Sequence, residues 1–241
     1  MDYNKLLDLK KLYHEKKSLI SKETIESYQK AFSLVFTHNS TAIEGNTLTL
    51  METKLILEDK VSVGGKSMRE IYEVINHEKA FEYVIQCIEK EENLNETIIK
   101  NIHAIIMENI IIGGIYRNVD VYISGSEHMP PTPHEMYKQI KMFYSDLNYK
   151  TDLNEIELAA FTHAEFVKIH PFVDGNGRTS RLIMNYQLMK SGFLPISIDK
   201  KDRLKYYNAL EEYAVNDNLL EFVDMIANLQ EEQLINYIKM V

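Results

Sequence analysis

Apolar residues recur at three- and four-residue spacing along most of this 241-residue chain, and this periodicity constrains the fold most. Such spacing places the apolar residues on one face of a helix, which must then pack against another element. The pattern predicts helical segments over 22–37, 67–89, 95–111, 155–169, 178–190 and 203–240. Ser67 with Glu70 forms a capping-box pattern, and Asn95 suits a helix N-cap. We therefore expect an all-α fold, a bundle of helices.

One segment, about 114–133, interrupts the helical pattern. A glycine pair precedes it and a proline cluster closes it, and both are typical of helix ends and loops. Within it, Val119, Val121 and Ile123 alternate along the chain between turn residues. This pattern predicts a short β-hairpin. The hairpin is either a packed surface loop or an exposed edge that pairs with the backbone of another chain.

Charge and composition exclude several classes of protein. Acidic residues outnumber basic residues 36 to 27, so the formal net charge is −9. This balance argues against a nucleic-acid or anionic-membrane binder that works through a broad basic face. No apolar run approaches the ~18 residues of a membrane span, and the first residues lack an apolar signal core. Cys87 is the single cysteine, which excludes an internal disulfide and favours a reducing cytoplasm.

The stretch 170–181 reads His-Pro-Phe-Val-Asp-Gly-Asn-Gly-Arg-Thr-Ser-Arg and lies between two predicted helices. His170 precedes a proline, so we expect it at a helix-to-loop corner. Its imidazole is the group in this stretch whose ordinary pKa suits proton transfer near neutral pH. Asp174 supplies one hard oxygen ligand, which suits Mg²⁺ shared with phosphates.

Permissive glycines flank an asparagine at 175–177, so consecutive backbone N–H groups can turn inward as a nest for anions. Arg178 opens the next helix, whose N-terminus adds a positive partial charge, and Arg181 lies on the same face. A base, a carboxylate, an anion nest and two arginines indicate phosphoryl-type transfer. A metal hydrolase built on His163, His170 and Asp174 is disfavoured because the chain lacks the usual His-rich metal motifs.

The same run matches His-Pro-Phe-x-Asp/Glu-Gly-Asn-Gly-Arg-x-x-Arg at every defined position, and it thereby resembles the Fic (filamentation induced by cAMP) family. This resemblance implies an all-helical Fic fold and transfer of AMP from ATP to a hydroxyl side chain of a target protein. It implies that His170 is the general base and that Asp174 holds Mg²⁺. It assigns the anion hole to Gly175, Asn176 and Gly177. It places Arg178 near the β-phosphate and Arg181 at the γ-phosphate.

The resemblance also implies a flap, about 114–133, that aligns the target by adding its backbone as a strand. The flap residues expected to dock the target are Tyr116, Val121, Ile123, Ser124, Gly125 and His128. Adenine would occupy an apolar pocket, for which Tyr206 and Tyr207 are candidates. Relatives with lysine at the position of Gly177 transfer the γ-phosphoryl group, so glycine here implies AMP transfer.

Residues 40–46, Ser-Thr-Ala-Ile-Glu-Gly-Asn, resemble the family's inhibitory pattern Ser/Thr-x-x-x-Glu-Gly/Asn. Ser40 and Glu44 are four residues apart, so a helix puts them on one face, and Gly45 follows. The resemblance implies the subclass with an inhibitory helix before the core. In that subclass Glu44 would pair with Arg181 and keep it from the γ-phosphate.

We expect one unit with three parts: a helical extension (1–66), a Fic core (67–215) and a C-terminal helix (216–241) that packs on the core or on a partner. The leading function is self-inhibited protein adenylylation with ATP and Mg²⁺. The alternatives are a phosphodiesterase that removes AMP through Glu44 and a non-enzymatic nucleotide sensor. The expected partner is a protein with a Ser, Thr or Tyr hydroxyl; self-modification and a homo-oligomer stay open. Composition and family favour a bacterial cytoplasm.

Overall fold

A computed structural model describes residues 3–150 and 152–240, and helices dominate these ranges. In chain order the α-helices are α1 (Tyr3–Lys17), α2 (Lys22–Ile43), α3 (Leu50–Leu57), α4 (Met68–Glu89), α5 (Glu96–Ile106), α6 (Pro133–Tyr149), α7 (Glu155–Ile169), α8 (Asn176–Lys190), α9 (Arg203–Asn216) and α10 (Leu220–Lys239). A short 3₁₀ turn, Lys200–Asp202, leads into α9. No β-strand occurs in the described ranges. The all-α prediction is confirmed.

Helices α7 and α8 form the centre of the fold, because they pack against each other and contribute to both large apolar clusters. Ile156 and Met184 lie in the cluster shared with α1, α9 and α10. Phe166 and Ile183 lie in the cluster shared with α4, α5 and α6. Helix α8 is therefore buried on nearly every side, polar residues included. The loop between α7 and α8 is fixed by the core at both ends.

The first and last helices also pack within this bundle. Helix α2 packs against α4 and α8, and it continues six residues beyond the predicted 22–37 to bring its end to α8. The periodic stretch 203–240 divides at Asp217, which has φ 54°, into α9 and α10. Helix α10 packs on α1 and α7 of the same chain. In the described ranges, no helix has the length and apolar character needed to cross a membrane.

The flap segment is an ordered loop, so the predicted β-hairpin is wrong for this structure. The guanidinium of Arg117 is buried and donates to the carbonyls of Val119, Pro131 and His170. At the other end, the carboxylate of Glu211 accepts the N–H groups of Glu127 and His128. Side chains thus satisfy backbone groups that a hairpin would pair across its strands. The alternating apolar pattern does not reveal these distant partners.

Two histidines in the core are held in the neutral form. His77 Nδ1 lies 3.0 Å from the hydroxyl of Thr37, and His163 Nε2 lies 3.1 Å from that of Ser180. Burial lowers the pKa of both rings well below its ordinary value, and the nearby Arg181 lowers it further. Protonating either ring would place a cation in a site closed to water.

Because these two histidines are buried in the neutral form, we expect acid to destabilise the folded protein. Below pH ~6.5 the unfolded chain binds protons at both positions while the folded chain does not, so the free energy of unfolding falls as the pH falls. Each ring contributes a slope of about 1.4 kcal/mol per pH unit. Urea unfolding between pH 7.5 and pH 5 measures this slope. In a His77→Asn variant the slope should be shallower by about that amount, and an unchanged slope would contradict the burial argument.

Candidate active site

The loop between α7 and α8 is shaped by two left-handed residues and one asparagine. His170 ends α7 with φ 50°, and Gly175 precedes α8 with φ 79°. Asn176 donates from Nδ2 to the Phe172 carbonyl at 2.8 Å and accepts the Phe172 N–H at 3.0 Å. A Cβ on Gly175 would lie 2.9 Å from the Met107 sulfur, so glycine is required there. Because the Asn176 side chain closes the loop, only the backbone of Asn176 is available to contact an anion.

His103, which sequence reasoning did not single out, joins this loop to the flap. Its Nδ1 lies 2.8 Å from the Gly114 N–H, which donates to it. Its Nε2 therefore carries the proton and donates to the Asp174 carbonyl at 2.8 Å. The ring stacks on Phe172 with centroids 3.5 Å apart. Burial lowers the pKa of His103 to about 4, so the ring keeps this neutral tautomer at neutral pH.

His170 has the protonation state that a general base requires. Its Nδ1 lies 3.3 Å from the Val167 carbonyl, so this nitrogen carries the proton and Nε2 is the basic nitrogen. Burial lowers the pKa of His170 to about 4; the Val167 carbonyl opposes this shift and Arg117 adds to it. At neutral pH the imidazole is therefore neutral and can accept a proton.

Asp174 lies among cations. Its Oδ1 accepts the Gly175 N–H at 2.5 Å and Arg178 Nη2 at 3.1 Å. Its Oδ2 accepts Arg69 Nη2, from the first turn of α4. Arg178 is buried, and its Nη1 lies 3.4 Å from Glu73 Oε1. Burial raises the pKa of Asp174, but the two guanidinium groups outweigh burial and hold it below its usual range.

The surroundings of Asp174 fit a magnesium ion that arrives with phosphates. The described residues contain no group of three or more His, Cys, Asp or Glu side chains able to hold a metal by themselves. Mg²⁺ commonly takes one or two carboxylates and fills its other positions with water and substrate phosphates. Asp174 is a single carboxylate whose charge already attracts two guanidinium groups. The residues therefore fit the predicted magnesium.

Arg181 is only 1% exposed and is enclosed by α2 and α9. Its Nε donates to the Ser40 hydroxyl at 2.9 Å, and its Nη2 donates to the Ser40 carbonyl at 2.7 Å. The same Nη2 lies 2.8 Å from Glu44 Oε1, and Nη1 donates to the Tyr206 hydroxyl at 3.1 Å. Burial lowers the pKa of Arg181, but Tyr206 and Glu44 outweigh burial and raise this pKa above its ordinary value. The structure thus brings Ser40, Glu44 and Arg181 together.

Glu44 places a carboxylate at the N-terminal end of α8. It is the C-cap of α2, and Gly45 follows with φ +100°, where glycine is favoured. A Cβ on Gly177 would lie 2.2 Å from Glu44 Oε1, so any side chain at 177 would displace this carboxylate. The N-terminal end of a helix favours a bound anion, and the Glu44 carboxylate lies at that position.

The two candidate adenine residues have different surroundings. Tyr206 is buried, and its hydroxyl lies between Arg181 Nη1 and His163 Nε2, at 3.1 and 2.9 Å. Its hydroxyl thus positions Arg181, a role that the spacing of residues along the sequence does not indicate. Tyr207 is partly exposed, donates to the Ile43 carbonyl at 3.1 Å and lies under the guanidinium of Arg203.

A cavity of about 360 Å³ opens beside His170 and Gly177. One wall comes from α9, through Tyr206 and Tyr207, and the facing wall comes from the flap. The flap residues in this wall are Ile123, Ser124, Gly125, Ser126 and His128. This volume is within the range of small-molecule sites.

Two of the flap residues predicted to dock a target lie outside this wall. Tyr116 is buried, its hydroxyl is 2.6 Å from that of Tyr144, and its ring packs near Phe172. The core covers the Tyr116 side chain, and the docking role of this residue stays a prediction. Val121 is half-buried and lies beyond the cavity lining.

Comparisons with known proteins agree with this geometry. The Fic/DOC family model matches residues 93–188. The chain is 36% identical over 229 residues to the protein adenylyltransferase Fic of Drosophila willistoni, covering 93% of this chain and 44% of that protein. The equivalent protein of Nematostella vectensis is 39% identical over 206 residues, covering 83% of this chain and 48% of the relative.

Among solved structures, a Fic-domain-containing signalling protein from Bacteroides thetaiotaomicron aligns with TM-score 0.86 and 30% identity, over 96% of this chain and 95% of that one. Fic-1 from C. elegans aligns with TM-score 0.88 and 30% identity, over 99% of this chain and 72% of that one. The chain belongs to the Fic/DOC family. It spans about half the length of the curated relatives it matches.

The surroundings of Tyr206 and Tyr207 predict unequal losses of stability on removal of the hydroxyl. Tyr206→Phe leaves a buried Arg181 N–H without its acceptor, and we expect a loss of about 1–3 kcal/mol. Tyr207→Phe removes one bond at a partly exposed position, and we expect about 1 kcal/mol or less. Urea unfolding of the two variants compares them directly. Equal losses would contradict the positioning role of the Tyr206 hydroxyl.

Proposed function

We propose that this protein is an adenylyltransferase that moves AMP from ATP to a Ser, Thr or Tyr hydroxyl of a target protein. The observation that carries the proposal is the loop between α7 and α8. There a neutral His170, the Asp174 carboxylate and two arginines surround the N-terminus of one helix. Curated relatives named protein adenylyltransferase, similar over most of this chain, support the same activity.

In this mechanism the target hydroxyl oxygen bonds to the α-phosphorus of ATP. The bond from that phosphorus to the bridging oxygen breaks, and pyrophosphate leaves. His170 Nε2 takes the hydroxyl proton, since Nδ1 is held by the Val167 carbonyl. Backbone N–H groups of 175–177 and the start of α8 stabilise charge on the phosphates. Mg²⁺, held by Asp174, would neutralise phosphate charge when bound.

The cavity beside His170 has the position and size expected for the nucleoside. We assign adenine to the space between the flap and α9, with Tyr207 at its partly exposed wall. We assign Arg178 to the β-phosphate side, and Arg181 would reach the γ-phosphate once Glu44 is withdrawn. Residues 120–125 are mostly exposed, and their backbone would pair with the target as an added strand.

We also propose that the chain inhibits itself through Glu44, as in the subclass with an N-terminal inhibitory helix. The 2.8 Å pair between Glu44 and Arg181 supports this proposal, because the arginine cannot hold a phosphate in the same position. ATP bound without that arginine would present a displaced α-phosphate. A displacement of ~1 Å at a reacting centre can lower the rate on the order of 10²-fold.

Removal of AMP from a modified target is the second candidate function. The position of Glu44 Oε1 beside Gly177 favours it, because a carboxylate there adjoins the proposed phosphate site. It could orient a water molecule for attack on the α-phosphorus. Free AMP released from a modified protein identifies this reaction, whereas pyrophosphate release identifies transfer.

The transfer proposal predicts that Glu44→Gly increases AMP transfer, by about 10²-fold if misalignment is the whole effect. The assay supplies α-phosphate-labelled ATP with Mg²⁺ and follows label on protein. Adding His170→Ala to Glu44→Gly should abolish the label, because the base is lost. No label in any variant, with nucleotide still bound, would contradict the proposal.

Glu58→Gly is a matched control for this experiment. Glu58 is also the C-cap of a helix, and its side chain is 26% exposed against 32% for Glu44. It pairs with Lys30 rather than with the loop. We expect Glu58→Gly to leave transfer at the wild-type level, so an equal gain in both variants would indicate general loosening rather than release of Arg181.

A further inference from the structure

Arg69 connects the start of α4 to the predicted metal carboxylate. Its Nη2 donates to Asp174 Oδ2, and its Nε donates to Glu73 Oε1 at 3.1 Å. Glu73 lies one turn further along the same helix, so this second contact is an (i, i+4) pair. Arg69 is thus held by a carboxylate of its own helix while it reaches across to the loop.

With Arg69 in place, both oxygens of Asp174 are engaged. Oδ1 accepts the Gly175 N–H and Arg178 Nη2, and Oδ2 accepts Arg69. A divalent cation that takes Asp174 as a ligand needs a lone pair directed at it. Oδ2 keeps a second lone pair, but a divalent cation bound there would lie beside the Arg69 guanidinium, and the repulsion between the two cations favours movement of one partner.

Burial determines which guanidinium moves. The Arg178 side chain is 2% exposed and also lies 3.4 Å from Glu73, so moving it would leave a buried charge without its partners. The Arg69 side chain is 54% exposed and keeps Glu73 as a partner when it leaves Asp174. Exposed ion pairs contribute little free energy, so Arg69 is the group that a metal can displace.

We propose that Arg69 is a displaceable placeholder for the divalent cation at Asp174. This proposal rests on the proposed function, because it takes Asp174 as the carboxylate that binds the metal. In the metal-free protein the Arg69 guanidinium compensates the Asp174 charge. When a metal–nucleotide complex arrives, Arg69 withdraws to Glu73 and solvent. The protein thereby lowers its own metal affinity by the free energy of one exposed ion pair.

The experiment measures Mn²⁺ binding, by the electron paramagnetic resonance of free Mn²⁺, with α,β-methylene-ATP at saturation, an analogue whose bond between the α- and β-phosphates cannot be cleaved in AMP transfer. We expect Arg69→Gln to lower the Mn²⁺ dissociation constant about two- to five-fold, because the displaced pair is exposed. A five-fold change corresponds to about 1 kcal/mol. An unchanged or weaker Mn²⁺ affinity would overturn the proposal.

Lys79→Gln is the matched control. Lys79 lies on α4, is 52% exposed and pairs with Glu108, so the variant removes the same charge at similar exposure. We expect no change in its Mn²⁺ affinity; a gain equal to that of Arg69→Gln would assign the effect to net charge and overturn the proposal. In an Asp174→Asn background, Arg69→Gln should give no gain, and a persisting gain would also overturn it.

Binding of α,β-methylene-ATP in EDTA distinguishes a placeholder from an arginine that binds phosphate. The placeholder predicts that Arg69→Gln leaves metal-free nucleotide affinity unchanged, whereas a several-fold loss would make Arg69 a phosphate ligand and overturn the proposal. Failure of the proposed function is a separate outcome, because it appears as absent AMP transfer by Glu44→Gly. A tightened Mn²⁺ affinity in Arg69→Gln would support the placeholder even then.

Discussion

A guanidinium buried at 1% exposure must be satisfied by the protein, and the arrangement around Arg181 follows from that requirement. Arg181 lies on α8, the helix that the core encloses on nearly every side. Its donors reach the end of α2 through Ser40 and Glu44, and α9 through Tyr206. One buried charge therefore joins the first part of the chain, the central loop and the wall of the cavity.

Two protein groups beside the loop carry the charges that a substrate complex would bring. Glu44 places an anion at the start of α8, where the phosphates are proposed to bind. Arg69 places a cation on Asp174, where the metal is proposed to bind. The two are linked, because Asn46 follows Glu44 in the chain and donates to Glu73 at 2.9 Å, and Glu73 also accepts Arg69. Without substrate, Glu44 thus supplies the negative charge that phosphates would bring, and Arg69 supplies the positive charge that a metal would bring.

Local sequence patterns predicted the central part of this structure because its determinants are contiguous. The run from His170 to Arg181 contains its own turn glycines, its loop-closing Asn176 and its charges, and the helices beside it follow apolar periodicity. Helices α1, α3 and α6 fall outside the six predicted ranges. Helices α3 and α6 nevertheless begin with capping boxes, at Thr49 and Thr132, that periodicity does not register.

Contacts between distant residues account for what the sequence could not predict. Arg117 and Glu211 take the backbone groups of the flap, so an alternating apolar pattern does not form strands there. His103 lies 71 residues from the Asp174 carbonyl that it binds, and Arg69 lies 105 residues from the Asp174 carboxylate. No local pattern marks either residue, because its role depends on where the fold places Asp174.

Glu44 is proposed to keep Arg181 from the γ-phosphate, and ATP and ADP differ by that phosphate alone. Calorimetric titration of wild type and Glu44→Gly with each nucleotide, in the presence of Mg²⁺, measures this effect on the γ-phosphate. We expect nearly equal affinities for ATP and ADP in wild type. In Glu44→Gly we expect a preference for ATP of roughly tenfold or more, because charge-assisted hydrogen bonds then reach the γ-phosphate. The same preference in both proteins would contradict inhibition by Glu44, because Arg181 would then already hold the γ-phosphate in wild type.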